Sequence, residues 1–454
     1  MSRLASILKD NSLFARAMRS SFWTIFGYGT SQILRLASNL ILTRILFPEA
    51  FGLMALVMVV MQGLTNFSDV GINTSIQQNK RGDDEDFLNT AWTLNVIRGL
   101  LLWLLTVLVA VPIANFYEEP QLAQLIPVAG AILVIQGFFP TRLESANRHL
   151  NLGRVTLLEM AIQIIGIVAT VLFAWLLQSV WALVIGGIVG AVSKILISNV
   201  FVPGTSNRFR WERDAVRDLV GFGKWIFLST AFGFILSQGD KIVLAKYLTL
   251  SNLGVYNIGY FLASFPLLLA TSVAWRILIP IYRERPPGAS AENFRGVRKM
   301  RFALTGGIVS MLIVAGFVGV PLVHLLYDSR YYAAGAMVVG IAVMQIPMVI
   351  IMSYDQAVLA AGESRYYAAL VFAKAVLQIG GLILGIHYFG LLGGIAGQAI
   401  GIVLVYPMVI WLTRRAGAWD PLHDGVFAAV GLLFGGLIVW TNHADLLTLL
   451  DIGS

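Results

Sequence analysis

Apolar residues in this chain fall into long blocks, not into the helical or alternating stripes of a soluble protein. The run LLWLLTVLVAV at 101–111 and the segments 132–139 and 180–192 lie within stretches of about 20 residues, the length a bilayer core requires. Read between charged breaks, the blocks predict membrane helices near 21–45, 50–68, 89–113, 122–140, 155–177, 180–202, 219–246, 252–279, 301–326, 331–360, 366–388 and 392–413. A weaker block at 426–440 is short for a span and leaves three readings open: a thirteenth helix, a re-entrant segment or an interfacial one. The chain is therefore expected to be an all-α polytopic membrane protein, with 12 helices and an extra C-terminal one still undecided.

Basic residues alternate from loop to loop. Arg3, Lys9, Arg16 and Arg19 precede the first block. Further basic loops hold Lys80–Arg81, Arg142/Arg148/Arg154, Arg208/Arg210/Arg213/Arg217, Arg283 through Arg301, and Arg414–Arg415. The intervening connections at 47–50, 117–121, 178–179 and Gly390 are short and poor in positive charge. The positive-inside rule then places the N-terminus and every basic loop in the cytoplasm. No outer loop is long enough to fold as a domain, so the function is expected to lie within the membrane.

Composition agrees. Of 454 residues 57% are hydrophobic and 12% charged, against roughly 25% charged in soluble proteins. The formal charge of +8 is explained by the inner loops, and nucleic acid is not implied. There is no cysteine, which excludes disulfides, thiolate catalysis and cysteine metal sites. His149, His324, His387, His423 and His443 are scattered without ligand spacing, so no metal and no cofactor is expected. Residues 1–20 are polar and cationic, and the first block is too long for a signal-peptide core; insertion is expected to begin with that helix.

Two halves of six spans flank a basic linker. Leu42-Thr43-Arg44-Ile45-Leu46 is followed by Phe51-Gly52, and Leu244-Ala245-Lys246-Tyr247-Leu248 by Leu253-Gly254 at the same spacing. In that register Trp23 falls on Trp225 and Arg44 on Lys246. At a slightly different offset, Gln163-Ile164 with Gly166 matches Gln378-Ile379 with Gly381, and Glu159 coincides with Lys374. Six spans per half give two parallel repeats, an arrangement in which the substrate path runs between the repeats. The expected organisation is an N-lobe at 1–203, a cytoplasmic linker at 204–218, a C-lobe at 219–415 and a C-terminal segment at 416–454.

A charge at the bilayer centre costs about 2.5–3.5 kcal/mol, so intramembrane charges face a cavity or a partner. In the first helix Tyr28, Gln32, Arg35 and Asn39 share one face, with Ser31 and Ser38 beside it. In the seventh, Thr230, Ser237 and Lys241 form a similar stripe next to Asp240. These faces read as the lining of a central cationic cavity between lobes; the alternative is helix packing, with Arg35 paired to a carboxylate. Arg98, Lys194 and Lys224 are expected to snorkel to headgroups, whereas Arg276 suits either role. Glu159, Asp240 and Asp355 are the acidic residues within spans and the candidates for ion coupling. Asp69 is expected to cap its helix or meet the basic loop. No P-loop, HExxH, GxSxG or dinucleotide fingerprint appears in a plausible context.

The run Leu42-Thr43-Arg44-Ile45-Leu46-Phe47-Pro48-Glu49-Ala50-Phe51-Gly52 resembles the L-x-R-x-L-x-P-x-x-F/Y-G signature of polysaccharide exporters. Asp69-Val70-Gly71 followed by Ile76-Gln77-Gln78-Asn79-Lys80 is similar to their D-x-G…IQ-x-K stretch, and Trp181-Ala182-Leu183-Val184 resembles the start of their sixth helix. The resemblance covers residues 20–415. It is to the Wzx-type oligosaccharide flippases of the multidrug/oligosaccharidyl-lipid/polysaccharide superfamily. It implies two six-helix lobes, alternating access across the bacterial inner membrane, and an undecaprenyl-pyrophosphate-linked oligosaccharide as cargo. It also implies coupling to a proton or sodium gradient, surrounding membrane lipids, and a polysaccharide polymerase as partner. Carried over by position, it supports Arg35, Asn39, Asp240, Lys241 and Arg276, with Gln32 hydrogen-bonding sugar.

Three rivals remain at this level. A drug/cation antiporter of the same superfamily needs cavity carboxylates, and the first helix carries Arg35 with no acid. A peptidoglycan-precursor flippase has two further helices. A membrane glycosyltransferase, polymerase or ligase needs a large outer loop that the hydropathy pattern lacks.

Overall fold

The computed structural model describes residues 13–69, 71–149, 152–273, 278–360 and 364–453. These residues are α-helices with short connections, and no strand occurs among them. The first half contains α1 (Leu13–Ile45), α2 (Pro48–Phe67), α3 (Ile72–Gln78), α4 (Glu85–Tyr117), α5 (Leu122–Gly137), α6 (Arg142–Arg148), α7 (Leu152–Leu177) and α8 (Trp181–Phe201). The second contains α9 (Arg213–Tyr247), α10 (Leu250–Ala263), α11 (Phe265–Val273), α12 (Ile279–Glu284), α13 (Ala291–Leu326), α14 (Ala333–Ala360), α15 (Ser364–Arg415), α16 (Pro421–Thr441) and α17 (His443–Leu447).

Among the described residues eight helices are long and apolar enough to cross a membrane, and ten if two bent pairs each count as one span. The bent pairs are α5 with α6, turning by 61°, and α10 with α11, turning by 52°; Pro140 and Pro266 stand at the two breaks, where proline interrupts a helix. α1 and α9 are also long enough to span a membrane. They are the helices that carry the polar faces read from the sequence. α9 and α13 also begin well before their apolar blocks, at Arg213 and Ala291.

Helix ends follow local chemistry. Asp84, Thr249, Ser290 and Asp420 each accept a backbone N–H from the first turn of the helix they precede, satisfying donors that have no partner within the helix. α15 runs through a break at Phe389 and Gly390, where Gly390 takes φ 58° and ψ −157°. A Cβ at Gly390 would sit 2.1 Å from the Leu450 carbonyl oxygen, so both conformation and space demand glycine there. The break divides α15 at the place where the sequence separated 366–388 from 392–413.

The block at 426–440 is part of a complete helix. α16 begins beside Arg298 and Arg301, near the start of α13. The chain beyond it returns carbonyls to the turn after Gly390, with Leu391 N donating to Ile452 O at 2.8 Å. Those two places lie at opposite ends of the neighbouring helices, so α16 runs the full length of its bundle. It is long and apolar enough to cross a membrane.

The helices group into two compact units, residues 1–46 with 56–231 and residues 47–55 with 232–454. In the first, α4 packs along α5, α7 along α8, and α1 along α7. In the second, α14 is buried over most of its length by α10, α13, α15 and α16. The first turns of α2 belong to this second unit. There Gly52 meets Leu250 and Gly254 meets Pro48, each at backbone distance: an added Cβ would stand 2.1 Å and 1.9 Å from the respective carbonyl oxygens. The two contacts exchange under the offset that aligns Gly52 with Gly254.

Candidate substrate and coupling sites

The polar face of α1 survives in three dimensions. Gln32 is buried, Tyr28 and Asn39 are half-buried, and Arg35 is exposed. Gln163 of α7 donates to the Ser31 carbonyl at 3.1 Å, which fixes α1 against α7 beside that face. The face thus offers one guanidinium and two amides on a helix that carries no carboxylate between Leu13 and Ile45.

Within the same unit lies a cavity of about 330 Å³ lined by Asp69, Asn95, Arg98, Gln136, Glu159 and Lys194 among others. Arg98 is half-buried, donating from Nε to Ser68 Oγ at 2.9 Å and from Nη2 to the Thr65 carbonyl at 2.8 Å. Lys194 places its ammonium 4.7 Å from the Phe139 ring centre. Both line the cavity. Asp69 accepts the Gly71 N–H at 2.8 Å, a local turn after α2 that caps neither α2 nor α3. Glu159 is exposed at the cavity and makes no hydrogen bond or ion pair among the described residues.

In the second unit Asp240 is buried. Its Oδ2 accepts from Tyr256 Oη at 2.9 Å, while Oδ1 has no hydrogen bond among the described residues. Lys241 Nζ stands 3.9 Å from that oxygen, donates to Gln238 Oε1 at 3.2 Å and lies 4.6 Å over the Tyr260 ring. Asp355 is held bidentately by Lys374, at 2.6 and 2.7 Å, a satisfied interhelical pair. Arg276 lies outside the described residues, as does the side chain of Lys224. Gln32, Arg35, Asn39 and Glu159 therefore belong to the first unit, and Asp240, Lys241 and Asp355 to the second.

Sequence reasoning missed a buried polar network at the start of α16. Arg298 clasps Asp420 with Nε and Nη2 at 2.6 and 2.9 Å. Arg301, 1% exposed, donates to Tyr282 Oη and to the Ala418 carbonyl and stacks on Tyr354 at 4.4 Å. His423 is fully buried between Asp424 and Thr305, 2.9 Å from each. Only the charge of Arg298 and Arg301 was visible beforehand, and it registered as loop charge. Arg142 behaves likewise: it is buried and donates to the carbonyls of Asn199, Val202 and Thr205 at the end of α8.

Solved structures share this fold. The chain superimposes on an inward-facing multidrug resistance MATE family transporter of the MOP superfamily with a TM-score of 0.62 and 15% identity, covering 86% of this chain and 95% of that one. It matches the lipid II flippase MurJ in an inward closed conformation with a TM-score of 0.60 and 12% identity, covering 94% and 99%. The chain shares the fold of these two proteins. A model of the family described as polysaccharide biosynthesis protein matches residues 41–334, and the chain belongs to that family. Relatives include the succinoglycan biosynthesis transport protein ExoT of Rhizobium meliloti, 25% identical over 58% of this chain and 53% of that protein. The teichuronic acid biosynthesis protein TuaB of Bacillus subtilis is 21% identical over 77% and 71%, and the lipopolysaccharide biosynthesis protein WzxC of Escherichia coli 22% over 60% and 55%. The match to ExoT and that to WzxC each span about half of the relative's length.

Proposed function

We propose that this protein flips an undecaprenyl-pyrophosphate-linked oligosaccharide from the cytoplasmic to the outer leaflet of the bacterial inner membrane, for polysaccharide assembly. The observation that carries the reading is the face of α1, which presents Gln32, Arg35 and Asn39 with no carboxylate. A diphosphate needs cations in a low-dielectric setting, and a guanidinium binds its oxygens in a bidentate fork. Lys241 and Arg276 supply further positive charge from the second half, and the amides hydrogen-bond sugar. The prenyl tail stays in lipid while the halves rock in alternating access. The basic loops face the cytoplasm by the charge asymmetry of the sequence, and the product passes to a polysaccharide polymerase.

Transport draws on a proton or sodium gradient through a carboxylate. Among the candidates Asp240 fits best, because its buried Oδ1 lacks a hydrogen bond among the described residues. Asp355 is committed to Lys374.

The test is reconstitution in proteoliposomes with a short undecaprenyl-pyrophosphate oligosaccharide, measuring its leaflet translocation. Arg35→Ala and Lys241→Ala are each expected to slow transport about tenfold or more, the worth of one charge-assisted hydrogen bond, with folding intact. Unchanged rates in both would remove these residues from the cargo path. An inert wild type that instead effluxes an organic cation would move the protein to the drug-antiporter branch.

A further inference from the structure

The first-unit cavity has a charge pattern that the cargo reading leaves unused. Its volume of about 330 Å³ is at the small end of ligand pockets, which run from about 300 to 1,000 Å³; a headgroup fits and an oligosaccharide does not. Two cations line it. Arg98 is anchored through Nε and Nη2, which leaves Nη1 without a protein acceptor among the described residues. Lys194 touches an aromatic face and reaches no carboxylate among the described residues.

The carboxylates in the lining divide cleanly. Asp69 accepts the Gly71 N–H and lies within electrostatic reach of Arg98, and Glu144 accepts from Gln77 at 2.7 Å. Glu159 makes no such contact, and it is the exposed member, which marks the open side of the cavity. Among the described residues, one cavity therefore holds an unpaired ammonium and an unpaired carboxylate that do not reach each other. A simple anion would leave Glu159 opposing it, and a simple cation would meet Arg98 and Lys194. A ligand carrying both signs, an ammonium a few bonds from a phosphate, satisfies both ends. In a membrane-spanning chain the most concentrated groups of that kind are lipid headgroups.

We infer that this cavity binds a phosphoethanolamine headgroup, with its phosphate at Arg98 and Lys194 and its ammonium at Glu159. The inference does not depend on what the protein transports.

The test is native mass spectrometry of the purified full-length protein titrated with phosphatidylethanolamine or phosphatidylglycerol, so it needs no transport. Wild type is expected to retain phosphatidylethanolamine about tenfold better than phosphatidylglycerol. Lys194→Gln is expected to lose retention of both, Lys194→Arg to keep it, and Glu159→Gln to shift preference towards the anionic lipid. Melting temperatures check that each variant is folded. Competition with soluble glycerophosphoethanolamine separates the sources: displacement assigns recognition to the headgroup alone, and persistence of the lipid assigns it to the intact phospholipid. Equal retention of the two lipids by wild type, or a preference unmoved by Lys194→Gln and Glu159→Gln, would overturn the inference.

Discussion

Asp420 shows how a single residue can carry a helix. It caps α16 through the His423 N–H, with Pro421 in the first turn, and its side chain is fully buried against a partly exposed Arg298. Burial by itself pushes this carboxyl up. The hydrogen bonds from Arg298 and the His423 N–H, with the charges of Arg298 and Arg301, outweigh burial and leave it below the usual carboxylate range. A depressed value means that folding favours the ionised form. The stabilisation is complete above the unfolded carboxyl value of 3.8 and is lost as pH falls through the lower folded value. Asp420→Asn is therefore expected to cost about 1–3 kcal/mol at pH 7, and the gap from wild type should narrow below about pH 4. Thermal unfolding in detergent at pH 7 and pH 3.5 measures both. None of this was legible beforehand, because Asp420 meets Arg298 across a long stretch of chain and loop arginines had been counted for orientation alone. The polar stripe of α1 was legible, since helical spacing places Gln32, Arg35 and Asn39 together without any tertiary knowledge.

Among elements, the apolar blocks located the long helices because bilayer length is written directly into sequence. Hydropathy did not mark the breaks within those blocks, although prolines stand at them. α5 and α6 bend by 61° around Pro140, and α6 itself is polar. The 426–440 block looked short because its first turn carries Asp420, His423 and Asp424, polar groups that the structure buries with partners. Where a glycine sets an approach between elements, substitution should be sharp. Gly52→Ala or Gly254→Ala puts a methyl group into a backbone carbonyl, an overpacking that costs typically 1–3 kcal/mol, about the same for each. Gly307 faces open space, so Gly307→Ala should leave the melting temperature unchanged or slightly raised. Melting temperature and the yield of monodisperse protein in detergent compare the three; equal behaviour would mean that the Gly52–Leu250 approach relaxes freely.

For the whole molecule, the sequence announced a polytopic helical protein and the family to which it belongs. It did not announce that the first turns of α2 pack with the second unit. Residues 47–55 cluster with 232–454, and no hydropathy pattern marks a helix whose two ends belong to different neighbours. Residues 204–454 expressed alone are therefore expected to be protease-sensitive, because the notch at Leu250 and Gly254 is left open. Co-expression with residues 1–203 should restore resistance, and a version of that fragment lacking 47–55 should not. Limited proteolysis in native membranes reads the difference.

The same feature orders events at the ribosome. Pro48 and Gly52 are made well before Leu250 and Gly254, so the first turns of α2 wait, with their eventual neighbour unmade, while the intervening chain is synthesised. The second unit cannot reach its final packing until an early piece of the chain has been held in reserve for it.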